Sequence, residues 1–153
     1  MKVFIASDHA GFELKEKILK RFSSLQSCDL DGYEFEDLGP YSDKRVDYPD
    51  FAAKLSRKLV AGTMGVLVCG SGQGVSMTAN KFPHIRAALC TNEELAELSR
   101  AHNNANVLCL GSRTVDEEIN FKILIKFLKT SFEGGRHQVR VEKIAQTARG
   151  YND

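Results

Sequence analysis

The sequence has no surplus of charge of either sign: 21 Lys and Arg stand against 20 Asp and Glu over 153 residues. Without a global field there is nothing to hold nucleic acid or an anionic membrane surface, so any basic site must be local. It also lacks a long apolar run. The longest nearly continuous one, Met64–Cys69, falls far short of the roughly 20 residues a membrane-spanning helix needs. The amino terminus meets polar residues after four apolar positions, unlike a secretory signal, so the cytoplasm is the expected compartment. Cysteine is sparse, at 28, 69, 90 and 109 with no CxxC pair, which argues against a disulfide framework or zinc knuckle and for reduced thiols. With 3 Pro and 12 Gly, fibrous and wholly disordered classes are excluded.

What is present is the composition of one ordinary globular domain, 42% hydrophobic and 27% charged. At this length folding buries roughly 68–70% of the unfolded surface, enough for one core and too little for two, so residues 1–153 are read as a single domain. Short β-rich runs recur, each followed by helical periodicity, the pattern of stacked βαβ units. The expected strands are Val3–Ala6, Tyr33–Leu38, Gly65–Cys69, Ala87–Cys90 and Asn106–Leu110. Between them Leu14, Ile18, Phe22 and Leu25 mark one helix and Phe51, Leu55 and Leu59 another, with further helices over Asn92–His102 and Val115–Lys129. The stripe Val141, Ile144, Ala145 and Ala148 predicts an extra C-terminal helix that packs across a partner subunit, because five units already complete a sheet. The fold class is α/β.

Open parallel sheets bind ligands beyond the carboxyl ends of their strands. There the sequence places Ser7-Asp8-His9, Cys69-Gly70-Ser71-Gly72-Gln73-Gly74 and Gly111-Ser112-Arg113. Three glycines in five residues let backbone N–H groups turn inward around an oxyanion or phosphate. Val75 stands where a dinucleotide fingerprint needs Gly and where a Cys-based phosphatase loop needs Arg, and Val75-Ser76-Met77 replaces the Gly-Lys-Ser/Thr of a Walker A loop. Cys69, at the strand-to-loop junction before a helix, can act as base or nucleophile. The plainer account, a small buried thiol, fits Cys28, Cys90 and Cys109 better. Ser71 can carry a proton between substrate oxygens or simply stabilise a turn. His102, spaced with Leu95 and Leu98 on the sheet-facing side of its helix, is either a capping residue or part of an acid/base set with Asp8 and His9. Arg136 and Arg140 would share one face of a helix and, with Arg113, clamp a phosphate. No His-x-His, HxxxH or CxxC spacing exists, so no metal site is expected.

In combination and order these motifs, with Asp47-Tyr48-Pro49, Ala79-Asn80-Lys81, Ser99–Asn106 and Gly134-Gly135-Arg136-His137, resemble those of the ribose-5-phosphate isomerase type B family, in the wider group with galactose- and allose-6-phosphate isomerases. The resemblance covers nearly the whole chain. It implies a metal-free, cofactor-free aldose–ketose isomerase on a Rossmann-like three-layer sandwich with a five-stranded parallel sheet, working as a homodimer with shared active sites. Cys69 would be the base, and His102, assisted by Asp8, would open the sugar ring. Backbone N–H groups of Gly70, Ser71, Gly72, Gln73 and Gly74 would stabilise the enediolate, while the Ser71 hydroxyl moves its proton. His9, Arg113, Arg136 and Arg140 would hold the phosphate, some from the partner, and Tyr48 and Asn103 would line the sugar. A second branch of the group uses a glutamate base at the place of Val75, a difference that favours Cys69. The segment Ser23–Tyr33 is longer than the family norm.

The leading expectation is interconversion of D-ribose 5-phosphate and D-ribulose 5-phosphate in the non-oxidative pentose phosphate pathway. Hexose-6-phosphate isomerisation shares the chemistry and differs in pocket length. A sugar-phosphate sensor would need the arginines but not Cys69 and His102, and a Cys-dependent hydrolase would pass through a covalent intermediate.

Overall fold

The computed structural model describes residues 1–22 and 30–147. Strands β1 (Lys2–Ser7), β2 (Glu34–Asp37), β3 (Met64–Cys69), β4 (Ala87–Leu89) and β5 (Val107–Gly111) alternate with helices α1 (Phe12–Phe22), α2 (Tyr48–Lys58), α3 (Gln73–Ala79), α4 (Glu93–Ala101) and α5 (Glu117–Lys129). A 3₁₀ turn over Gly135–His137 leads into α6 (Gln138–Thr147). All strand pairings are parallel and the order is β2-β1-β3-β5-β4. No described helix is long and apolar enough to cross a membrane.

The central strands are buried on both faces, and their period of two sorts each into two cores. Val3, Ile5, Val66, Val68, Leu108 and Leu110 face α1, α4 and α5, meeting Ile18, Phe22, Phe121 and Phe127. Phe4, Ala6, Leu67, Cys69, Val107 and Cys109 face α2 and α3, meeting Ala52, Leu55, Val75 and Ala79. This is the expected three-layer α/β sandwich. The sheet is built outward in opposite directions from β1 and β3, so the crevice above their carboxyl ends is the topological switch point. Lys15 has no exposed side-chain surface and reaches Asp37 at 2.7 Å, tying α1 to the end of β2.

The strand expectations are met within a residue or two, the usual precision of element boundaries. Asn92 and Asp116 lie just outside their helices as caps, accepting from Leu95 N–H and Glu118 N–H. Leu25, Cys28 and Ala148, together with most of the longer Ser23–Tyr33 segment, lie outside the described residues. The C-terminal helix is present, but of its predicted stripe Val141 is buried within the chain while Ile144 is exposed.

One expectation is overturned. Leu95 and Leu98 are 43% and 38% exposed, and the residues α4 buries are Ala96, Arg100 and Ala101. The sheet-facing side of α4 is built instead from small residues and an arginine stem. Arg100 satisfies its buried guanidinium on the carbonyls of Ala105 and Thr130 and on Asn104 Oδ1. His102 therefore ends an outward-facing stripe.

Gly11 shows why the first loop needs glycine. A Cβ there would lie 2.4 Å from the carbonyl oxygen of Val68, so α1 enters directly against the backbone of β3. Gly11→Ala is expected to destabilise the fold by about 1–3 kcal/mol, as overpacking does. Urea unfolding measures it, and a midpoint equal to the parent's would contradict the contact.

Candidate active site

At the carboxyl edge of the sheet, three loops converge on the β1/β3 crevice. The Asp8 N–H donates to Val68 O at 3.1 Å, and the buried Asp8 carboxylate accepts the Gly11 N–H at 2.9 Å. Cys69 closes β3 as a buried residue, 5% exposed, and its Sγ accepts the Gly72 N–H at 3.0 Å. Gly72, at φ 77°, sits in the left-handed region, the conformation that turns this N–H back on the sulfur. Among the described residues the N–H groups of Gly70, Ser71 and Gly74 have no acceptor, so they remain available to an oxyanion. Tyr48, the first residue of α2, lays its ring on Gly74, where a Cβ would come within 2.6 Å of it.

Arg113 donates its N–H to Gly70 O at 2.9 Å and holds its side chain beside that glycine. Arg113 and His9 also line a cleft of about 390 Å³ on the α1/α5 side, and His9 Nδ1 sits 3.1 Å from Val46 O. Two residues that sequence reasoning left without a role hold this edge together. Ser112 Oγ lies 2.8 Å from Ala10 O and 3.1 Å from Cys69 O, bridging all three loops. Buried Asn120 donates to Gly111 O and Val115 O, fixing the loop that carries Arg113. Cys90 and Cys109 are buried thiols, as expected; desolvation pushes Cys90 up to about 11 and raises Cys109 well above the ordinary thiol value.

The remaining candidates lie elsewhere. Helix α4 leaves the carboxyl end of β4 and runs back, so His102, its C-cap, arrives at the opposite edge, five residues before β5 begins. Cys69 pairs with Gly111 at the far end of β5, and the strand from Val107 to Gly111 spans about 13 Å at the usual rise. Helix α5 also runs back, and the turn after it joins His102 through the Glu133 N–H, which donates to Ala101 O at 3.0 Å. There the His102 and His137 rings stack at 4.2 Å and 8°. Glu133 Oε2 stands 3.8 Å from His102 Nε2 and 3.9 Å from His137 Nε2. Burial, with the charges of His102 and Arg136 next, lowers the pKa of His137. Arg136 Nε donates to His137 Nε2 at 3.2 Å. Arg136 lies in the 3₁₀ turn and Arg140 in α6, so they do not share a single helix as predicted, though both are exposed beside this cluster. Neither they nor Arg113 form a carboxylate ion pair among the described residues.

The chain thus holds the candidate residues in two separated groups: Asp8, His9, Tyr48, Cys69–Gly74 and Arg113 at one edge, and His102, Asn103, Arg136 and Arg140 at the other. Spacing did not reveal the His102–Glu133–His137 cluster; Glu133 and His137, four apart, were its one local signal.

Residues 3–144 match the Ribose/Galactose Isomerase family. The chain belongs to that family. It is 47% identical over 146 residues, 93% of this chain and 92% of the other, to the probable ribose-5-phosphate isomerase B of Mycoplasma genitalium. The Clostridium thermocellum ribose-5-phosphate isomerase B structure superposes with a TM-score of 0.91 at 42% identity, covering 99% of each chain. The ribose-5-phosphate isomerase B structure of Mycoplasma genitalium with bound ribulose-5-phosphate gives 0.85 at 44% identity, covering 97% of this chain and 96% of that one. Membership of the family agrees with the five-stranded parallel sheet and with the resemblance read from the motifs.

Proposed function

We propose that the protein interconverts D-ribose 5-phosphate and D-ribulose 5-phosphate through an enediolate, with no metal or cofactor. The observation that carries this reading is the Cys69 thiol held by the Gly72 N–H at the mouth of a loop whose Gly70, Ser71 and Gly74 N–H groups meet no acceptor among the described residues. His102 protonates the ring oxygen and Asp8 assists, opening the furanose. Cys69 as thiolate then removes the proton from C2, and charge develops on the C1 oxygen, where the Gly70–Gly74 amides stabilise it. Ser71 passes the O2 proton to O1, and the Cys69 thiol returns its proton to C1, which completes the ketose and restores the thiolate. His9, Arg113, Arg136 and Arg140 hold the phosphate, and Tyr48 and Asn103 flank the sugar.

This chemistry needs the two groups in one place, and a second copy supplies the missing half in each site. The exposed Leu95, Leu98 and Ile144 support a homodimer. So does a groove of about 390 Å³ lined by Ile144 together with Phe82, Pro83, Ile85 and Asn103.

Incubation of the purified protein with ribose 5-phosphate, without added metal or nucleotide, is expected to yield ribulose 5-phosphate. Allose 6-phosphate and galactose 6-phosphate, assayed alongside, should turn over at least about tenfold less efficiently, the discrimination a pocket of fixed length achieves. A tenfold preference the other way would make the protein a hexose-phosphate isomerase.

A further inference from the structure

We propose that His102, Glu133 and His137 form a reversible binding site for a divalent cation of the zinc class. The two imidazole nitrogens and the carboxylate oxygen all lie within 4.8 Å of one another. Two imidazoles and one carboxylate are a donor set that zinc accepts while keeping a fourth position open, at bond lengths of about 2.0–2.2 Å. Nitrogen-rich sites of this kind favour zinc, copper or nickel over magnesium or calcium, which take oxygen ligands.

The backbone already brings the three segments together. His102 caps α4, and the Glu133 N–H donates to Ala101 O at 3.0 Å. Arg100, on the same helix, donates to Thr130 O at 3.2 Å, fixing the turn from its other end. His137 is buried and Glu133 is 61% exposed by its side chain, so a rigid ligand and an adjustable one face each other. Closing on an ion asks for two small movements. The stacked rings run nearly parallel, 8° apart, and a turn about the soft χ2 torsion converges their nitrogens. Arg136 Nε must also release His137 Nε2. That competition, with the nearby charges of Arg136 and Arg140, opposes a dication and makes the site an exchangeable one rather than a permanent metal centre.

Occupancy has a functional consequence that rests on the reading above. A metal-bound His102 Nε2 has no proton to give to the ring oxygen, so zinc should inhibit isomerisation reversibly.

Calorimetric titration of the purified, chelator-treated protein with zinc chloride is expected to give one ion per chain. Glu133→Gln and His137→Gln should each weaken binding by more than about tenfold, the scale already seen when mere supporting residues of metal sites are lost. Thermal unfolding confirms that the His137 variant remains folded, and exposed Glu133 avoids that question. Cys69→Ala should bind as the parent does. The inference is overturned if the parent binds no zinc, if both ligand variants bind within twofold of it, or if Cys69→Ala abolishes binding. In activity assays zinc should inhibit at the concentrations that fill the site, with chelator restoring the rate and Glu133→Gln shifting the inhibition upward. Binding without inhibition would overturn the link to His102. Absence of isomerase activity in metal-free protein would sink the proposed function and leave the calorimetric result standing.

Discussion

Cys69→Ala should lower ribose 5-phosphate turnover by about 10²–10⁴-fold, the contribution typical of a positioned general acid or base. Affinity for the sugar phosphate should change little, because the side chains assigned to the phosphate are His9, Arg113, Arg136 and Arg140. The loss therefore belongs in kcat rather than in KM. The thiol is buried, small and close to the Gly72 N–H, so alanine removes one acceptor without opening a large cavity. Cys69→Ser keeps the shape and an acceptor for Gly72, yet its hydroxyl holds its proton far more tightly, and it should be nearly as inactive. Initial rates with equilibrium binding of the substrate decide the matter. A Cys69→Ala variant turning over at the parental rate would remove Cys69 from the mechanism.

Mixing two dead variants should restore activity. On the proposed mechanism His102→Ala loses the ring-opening acid and Cys69→Ala loses the base, and each alone is expected to be inactive. In a mixed dimer one site inherits both defects, while the other combines an intact Cys69 from one chain with an intact His102 from its partner. Random reassortment makes half of the dimers mixed, so about a quarter of the parental activity should return. The reason is geometric: α4 delivers His102 to the edge of the sheet opposite Cys69. Co-refolding the variants and assaying the mixture tests it. No recovery, with mixed dimers demonstrated by a tag on one chain, would refute sharing of the site.

The strands were legible because buried parallel strands read as short apolar runs: Met64–Cys69 and Val107–Gly111 are buried throughout. The first half-site followed from the rule that ligands gather at carboxyl ends, and Asp8, Cys69 and Arg113 do converge there. The position of His102 was obscured by its neighbours. Leu95 and Leu98 at helical spacing read as a core-facing stripe, although both leucines are exposed on the outer side of α4. Periodicity detects an apolar face and cannot distinguish a sheet from a partner as its cover. The direction of travel was nonetheless available, since a crossover helix that starts at one edge must finish at the other. The grouping of Glu133 and His137 with His102 escaped notice because His102 is 31 residues from Glu133 along the chain and is brought near by the packing of α4 on α5.

The outermost strands have a consequence for how such chains can meet. Strand β4 has three residues and β2 four, three of them acidic, with Glu36 engaged by Lys2 and Lys58. Edges that are short and charged offer a poor template for a further strand, which discourages growth of the sheet from chain to chain. Self-association is left to helices and loops, whose side chains can define a closed pair, and runaway stacking is denied its usual starting point.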